Sequence, residues 1–141
     1  MSIKDKKILF FAPKFFGYEK DVLDELVAQG AQVFFLPDRP SDNTIVKVVY
    51  RFTPHILSKI SNQYYKNAIE QFNQDNFDFV FIQSGEALTI GFLKKLKLKY
   101  KNAKFIFYTY DSIVNKKGQL EKIKFCDISY TFDKADALTY G

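Results

Sequence analysis

Short apolar runs alternate along the chain with longer segments whose apolar residues recur every three or four positions. Continuous apolar runs bounded by glycine, proline or acidic residues predict strands buried on both faces, as in a parallel sheet. Five such runs are present: KILFFA from Lys7, AQVFFLPD from Ala31, FDFVFIQSG from Phe77, AKFIFYTYD from Ala103 and CDISYTFD from Cys126.

The segments between these runs predict helices. Gly30 follows a stretch of helical periodicity and marks the C-terminal end of the first helix. Thr53 and Pro54 are typical of an N-cap and a first helical position, and the helix that they begin is expected to run to roughly Asn73. Residues 44–52 fit a strand or a helix, and a helix is favoured. Three more helices are predicted in EALTIGFLKKLKLKY from Glu86, GQLEKIKF from Gly118 and KADALTY from Lys134.

Strands and helices thus alternate over the whole chain. This order predicts one domain over residues 1–141, a Rossmann-like or flavodoxin-like α/β domain with a doubly wound, mostly parallel sheet of about five strands. In such sheets the carboxyl ends of the strands meet at one edge, and ligands bind there. The residues at these ends are Pro13 to Gly17, Pro37 to Arg39, Ser84 to Glu86, Asp111 with Ser112, and Asp133.

Composition narrows the class of protein. With 47% hydrophobic and 18% aromatic residues, the 141-residue chain has enough apolar side chains for one core. A single cysteine excludes an internal disulfide, and no segment reaches the ~18 apolar residues of a membrane span. The N-terminus lacks the small-residue cleavage site of a signal peptide. These features predict a cytoplasmic protein.

The net charge of +5 comes from one block of six lysines without an acid, KKLKLKYKNAK from Lys94. One interpretation is a solvated helix end, where cations suit the helix dipole. The other is peripheral contact with the anionic inner face of a membrane. Aromatic residues are sparse in the block, so no nucleic-acid partner is expected. The candidate membrane-contacting residues are Lys94, Lys95, Lys97, Lys99 and Lys101.

Several common chemistries are missing from the sequence. Neither the dinucleotide-binding pattern G-x-G-x-x-G nor the phosphate-binding pattern G-x-x-x-x-G-K-[ST] occurs. The sequence has a single histidine and a single cysteine, which argues against a zinc site and against a cysteine–histidine nucleophile. It also lacks the D-x-D pair of acids that holds a metal-nucleotide complex. Neither a metal nor a cofactor is therefore expected.

The order of the remaining signals resembles a known family. FDFVFIQSGEAL is followed by FIFYTYDSI and then by KFCDISYTFDKADALTYG. These stretches resemble the N-terminal half of bacterial glycosyltransferases of the lipopolysaccharide and capsule type, related to the spore-maturation glycosyltransferase group. In that family a strand ending in Asp-Ser precedes a D-x-x-[FY]-[ST]-F-D-x-x-D-A-x-x-[YF]-G stretch, which here begins at Asp127 and includes Asp133, Asp136 and Ala137.

The resemblance implies one half of a GT-B enzyme, in which two Rossmann-like domains face each other across a cleft. The N-terminal half mostly meets the saccharide or lipid-linked acceptor, and the C-terminal half mostly holds the nucleotide sugar. The family continues past the position of Gly141, so the donor-binding domain is expected to be absent here and this chain alone is not expected to catalyse transfer. The alternative is a stand-alone, non-enzymatic α/β module that binds a small ligand or a protein.

Asp111 is the candidate catalytic residue, because glycosyl transfer to a hydroxyl benefits from a carboxylate that takes the proton. The favoured interpretation is nevertheless that Asp111 caps the following turn, with help from Ser112. Asp133 is a candidate substrate-binding residue, but the favoured interpretation is a helix N-cap with Asp136 at the third position of a capping box.

Two further loops supply candidate substrate-binding residues. Ser84, Gly85 and Glu86 lie between a strand and a predicted helix whose N-terminus suits an anion or sugar hydroxyls, although ordinary capping is an equal alternative. The first loop forms either a flexible cover over the cleft or a simple connection. Its candidates are Lys14, Phe16 and Gly17.

Overall fold

A computed structural model describes residues 2–39, 54–116 and 118–140. In them five parallel strands form one sheet, in the order β2-β1-β3-β4-β5. The strands are β1 (Lys7–Ala12), β2 (Gln32–Pro37), β3 (Phe79–Gln83), β4 (Lys104–Thr109) and β5 (Ile128–Thr131). All five predicted strands are confirmed.

The helices are α1 (Tyr18–Ala28), α2 (Pro54–Gln71), α3 (Ile90–Lys99), α4 (Gln119–Phe125) and α5 (Lys134–Tyr140), with a 3₁₀ turn at Ile113–Asn115. Gly30 follows α1 with a φ of +88°, as expected of a C-terminal stop. The favoured helix at residues 44–52 and the predicted N-cap at Thr53 lie outside the described residues. No helix in the described ranges has the length and apolar character needed to cross a bilayer.

The strand order confirms the predicted fold class. From β1 the chain moves outward to β2, then returns past β1 and continues through β3, β4 and β5 in the other direction. This is the flavodoxin-like order of a doubly wound sheet, and its direction reverses between β1 and β3. The carboxyl ends of these two strands are therefore the expected ligand position.

Two apolar layers hold the helices against the sheet. On one face, buried residues of β1, β3 and β4 pack with α2 and α3; Phe11 meets the rings of Tyr65 and Phe92 edge-on, with centroids 5.7 and 6.3 Å away. On the other face, α1 packs over the core around Phe10.

The prediction that every strand is buried on both faces is wrong for β5. Tyr130 is 58% exposed, because β5 is an edge strand.

Two aspartates fix the strand register at the amino ends. Asp78 donates its N–H to Lys7 O and accepts the Lys7 N–H on its carboxylate, both at 2.9 Å. Asp127 does the same with Phe105, at 2.9 and 2.8 Å. The Lys7 N–H and the Lys6 ammonium lower the pKa of Asp78. Each aspartate therefore ties its own strand to a neighbour at the edge opposite the expected ligand position.

Candidate functional site

Charged side chains from three loops meet at the carboxyl edge of the sheet. The Glu86 carboxylate, after β3, lies at the centre. Arg39 Nη2, after β2, is 2.5 Å from Glu86 Oε2, and Lys116 Nζ donates to Oε1. Lys116 Nζ is also 3.6 Å from Asp111 Oδ2, after β4. The network thus spans the carboxyl ends of β2, β3 and β4.

These ion pairs change the titration of their members. Burial by itself would raise the pKa of Glu86, but Lys116 and Arg39 outweigh it and lower the pKa. Burial would lower the pKa of Lys116, but the Glu86 and Asp111 carboxylates outweigh it and raise the pKa. Glu86 is therefore held as a carboxylate and Lys116 as an ammonium.

The buried Asp38 carboxyl contacts the backbone of the loop that carries Glu86. It is 1% exposed, and its Oδ2 accepts the Glu86 N–H at 3.1 Å. Burial raises the pKa of Asp38 to about 6, although Arg39 opposes the shift. Within the described ranges, Asp38 Oδ1 has no hydrogen-bond partner, and it lies 3.8 Å from Arg39 Nε. The buried carboxyl therefore positions the backbone of the loop that carries Glu86.

Lys122 holds the same loop from α4. Its ammonium donates to the Gly85 carbonyl, and the residue is 5% exposed. Burial lowers the pKa of Lys122 to about 8, although the charges of Asp38 and Glu86 oppose the shift. The Ser84–Glu86 loop therefore rests on a buried carboxyl and a buried amine.

The backbone of this loop is tightly constrained. Ser84 and Gly85 have φ values of +62° and +56°, and a Cβ on Gly85 would lie 2.6 Å from Ile82 Cγ2. The prediction that this loop forms a helix N-terminus is wrong. Helix α3 begins at Ile90, and the Thr89 hydroxyl accepts the Phe92 N–H there. The loop positions Glu86 by its turn rather than by a helix dipole.

Aromatic rings line the edge beside the charged network. Phe15 stacks on Tyr110, with centroids 6.3 Å apart and planes 19° apart, and contacts Phe16 at 4.6 Å. Phe16 is 88% exposed. Burial raises the pKa of Tyr110, and the charges of Asp38, Asp111 and Glu86 add to the shift. Phe15 and Tyr110 therefore form one platform next to the charges, while Lys14 is exposed and Gly17 precedes α1 in the same loop.

Asp136, and not Asp111, caps the turn that follows β4. The turn that begins at Ile113 has its first N–H bound by Asp136 Oδ2 at 2.7 Å, and the Ser112 hydroxyl lies 3.5 Å from Asp136 Oδ1. The Thr109 hydroxyl accepts the Asp111 N–H. Asp111 keeps a carboxylate that is 41% exposed at the ligand edge and faces Lys116.

Asp133 is a helix cap, as favoured from the sequence. Its Oδ1 accepts the N–H groups of Ala135 and Asp136 at 2.8 and 3.3 Å. The predicted capping box is wrong, because Asp136 reaches to Ile113 and the Asp133 N–H is bound by the Thr131 hydroxyl instead. Asp133 thus serves the start of α5, separate from the network around Glu86.

The lysines of the block differ in their surroundings. Lys97 pairs with Asp127 at 2.9 Å and lies 5.1 Å from the ring centres of Phe105 and Phe125. It therefore has a structural role at the edge strand, and its contact with a membrane stays a prediction. Lys94, Lys95, Lys99 and Lys101 are exposed, and Lys95 and Lys99 also line a cavity of about 560 Å³ between α2 and α3.

The sequence interpretation placed Arg39 at this edge without a role, and it missed Tyr110, Lys116 and Lys122. Arg39 and Tyr110 have a visible signal, since each adjoins an acid at a strand end. Lys116 and Lys122 have none, because the chain must first turn at Ile113–Asn115 before they face Glu86 and Gly85.

The described ranges contain no group of three or more His, Cys, Asp or Glu side chains arranged to hold a metal ion. The arrangement instead offers one exposed carboxylate, two cations and an aromatic platform. Comparison of the chain with family models, curated proteins and solved structures gives no match.

Proposed function

We propose that this chain forms the acceptor-side domain of a GT-B glycosyltransferase, which moves a sugar from a nucleotide-sugar donor to a surface-polysaccharide or lipid-linked acceptor. The observation that carries the proposal is the exposed Asp111 carboxylate at the ligand edge, 3.6 Å from Lys116 Nζ. The resemblance of the sequence to that family supports it.

The chemistry asked of Asp111 is general-base catalysis. A sugar hydroxyl becomes a better nucleophile when a nearby carboxylate accepts its proton as the new glycosidic bond forms. The ring faces of Phe15 and Tyr110 provide an apolar surface for the C–H groups of a sugar ring, while polar groups beside them fix its orientation. In the proposed enzyme a second domain holds the nucleotide sugar, so this chain supplies acceptor binding and the base.

Acceptor binding is the first test. We expect a panel of neutral and acidic monosaccharides, titrated into the ¹⁵N-labelled chain, to shift the amide signals of Phe15, Tyr110, Asp111 and Ser112. The reason is that these residues border the exposed carboxylate and the platform. Phe15→Ala should weaken this binding, whereas Phe72→Ala, which removes a ring packed against the core on the α2 and α3 side of the sheet, should leave it unchanged. Saccharides that shift none of these amides would contradict the proposal.

A non-enzymatic binding module is the second candidate. Glu86 is already paired with Arg39 and Lys116, as expected of a structural ion network, and Phe16 is exposed enough to contact a protein. A chain joined to a donor-binding domain that binds saccharide without transferring sugar from any nucleotide sugar would favour this module.

Peripheral contact with an anionic membrane remains part of the proposal, through Lys94, Lys95, Lys97, Lys99 and Lys101, of which four, Lys94, Lys95, Lys99 and Lys101, are exposed. We expect co-sedimentation with phosphatidylserine vesicles at low salt and loss of it as salt rises, because surface charges are screened. Replacing these four lysines with glutamine should abolish binding. As a control of equal size, Lys4, Lys20, Lys124 and Lys134 are also exposed and should be dispensable. Absence of vesicle binding at low salt would reject the contact.

A further inference from the structure

Arg39 and Lys116 bind opposite oxygens of one carboxylate. Arg39 Nη2 is 2.5 Å from Glu86 Oε2, and Lys116 Nζ donates to Oε1. The two cations come from different loops, after β2 and after β4, and converge only because Glu86 lies between them. Two cations that flank a pair of oxygens form the arrangement with which proteins bind carboxylate and phosphate groups.

Glu86 is suited to leave this position. Its side chain is 33% exposed, so a displaced carboxylate can turn into water without being buried unpaired. The Arg39 side chain is only 19% exposed, and without Glu86 its remaining anion among the described residues is Asp38, whose Oδ1 is 3.8 Å from Arg39 Nε. Loss of the close carboxylate is costly for a partly buried cation. The exchange of Glu86 for another anion is therefore favoured over its simple departure.

The residues next to the two cations are suited to contact a sugar. Lys116 Nζ is 3.6 Å from the Asp111 carboxylate, and the Phe15–Tyr110 platform lies on the same edge. An anionic group held by Lys116 would thus bring the rest of its molecule next to the proposed base. A neutral sugar could accept hydrogen bonds from the two cations but would gain no attraction between opposite charges.

We propose that Arg39 and Lys116 bind the carboxylate or phosphate group of an acidic saccharide acceptor, and that Glu86 occupies this site when the acceptor is absent. The inference rests on the proposed function for the saccharide part of the ligand. It assigns the substrate class of that site, namely uronic acids or sugar phosphates rather than neutral sugars.

The test is Glu86→Gln, which keeps the side-chain size and removes the internal anion. We expect glucuronate to bind this variant about tenfold or more tightly than the unsubstituted chain, because an intramolecular competitor has been removed. Affinity for glucose should not change. Each protein is titrated with glucuronate, glucose and inorganic phosphate. Binding is measured by the amide shifts of Gly85, of the residue at position 86 and of Lys116.

Two further variants identify the site. Glu86→Gln combined with Lys116→Gln should return glucuronate affinity to the level of the unsubstituted chain or below it. Glu121→Gln, an exposed acid on α4, makes the same change in net charge away from the two cations and should leave affinity unchanged. If Glu86→Gln does not fold, the shift of the Glu86 amide in the unsubstituted chain with glucuronate, compared with glucose, provides the same test.

The outcomes distinguish a failure of the acidic-acceptor inference from a failure of the proposed saccharide-binding function. Equal binding of glucose and glucuronate would overturn the inference and leave a saccharide site in place. Binding of phosphate alone, dependent on Lys116, would support the anion site and contradict a saccharide acceptor. Tighter glucuronate binding in Glu121→Gln as well as in Glu86→Gln would show a general charge effect and overturn the inference.

Discussion

Replacing Asp111 with asparagine is expected to lower sugar transfer by about 10²- to 10⁴-fold, the usual contribution of a general base. Asparagine keeps the size of the side chain and can still face Lys116, but it cannot accept the acceptor proton. The measurement is transfer from a nucleotide sugar by a protein that carries this chain together with its donor-binding domain. Acceptor affinity should change far less than turnover, since the loss lies in the transition state.

The matched control is Asp24→Asn, which neutralises an exposed acid on α1. Transfer by this variant should match that of the unsubstituted enzyme. If Asp111→Asn turns over as fast as Asp24→Asn, Asp111 has no part in the chemistry, and only its position near Lys116 remains to be explained.

Gly85→Ala is expected to destabilise the fold by about 2–5 kcal/mol. An alanine at a φ of +56° costs about 1–2 kcal/mol, and the new Cβ at 2.6 Å from Ile82 Cγ2 adds an overpacking cost of about 1–3 kcal/mol. The free energy of unfolding in urea measures the sum.

Gly17→Ala separates the two costs. Gly17 also has a positive φ, +86°, but a Cβ there would meet nothing within 4 Å. This variant should lose only the backbone part, about 1–2 kcal/mol. Equal losses in the two variants would show that the Gly85 turn relaxes around the added methyl group.

The fold was predictable because its strands are buried segments with clear boundaries. Each apolar run became a strand, and Pro37 closes β2 as the sequence indicated. The start of α3 was not predictable, since Leu88 falls on the same apolar stripe as Phe92 and made the helix look longer. Ser84 and Gly85 instead form a turn with positive φ values, and these values cannot be deduced from the order of residues alone.

The site was predictable only in part. The acids at the strand ends were visible as departures from apolar runs, and Asp111 was among them. Their partners were not visible, because Lys116 and Lys122 look like ordinary basic residues near a helix until the chain folds back over Gly85 and Glu86. Asp136 was assigned to its own helix, although its carboxylate is used by Ile113, which lies 23 residues away in the sequence.

The Asp78 and Asp127 contacts bear on how this domain can change during evolution. Each ties a strand to its neighbour at the amino edge, and a slip of one residue would break both of its backbone hydrogen bonds. The strand register is therefore secured at the end that carries no candidate ligand residue. Loop substitutions around Glu86 and Asp111 can then accumulate without shifting the sheet, so we expect related chains to diversify in ligand preference while these two aspartates persist.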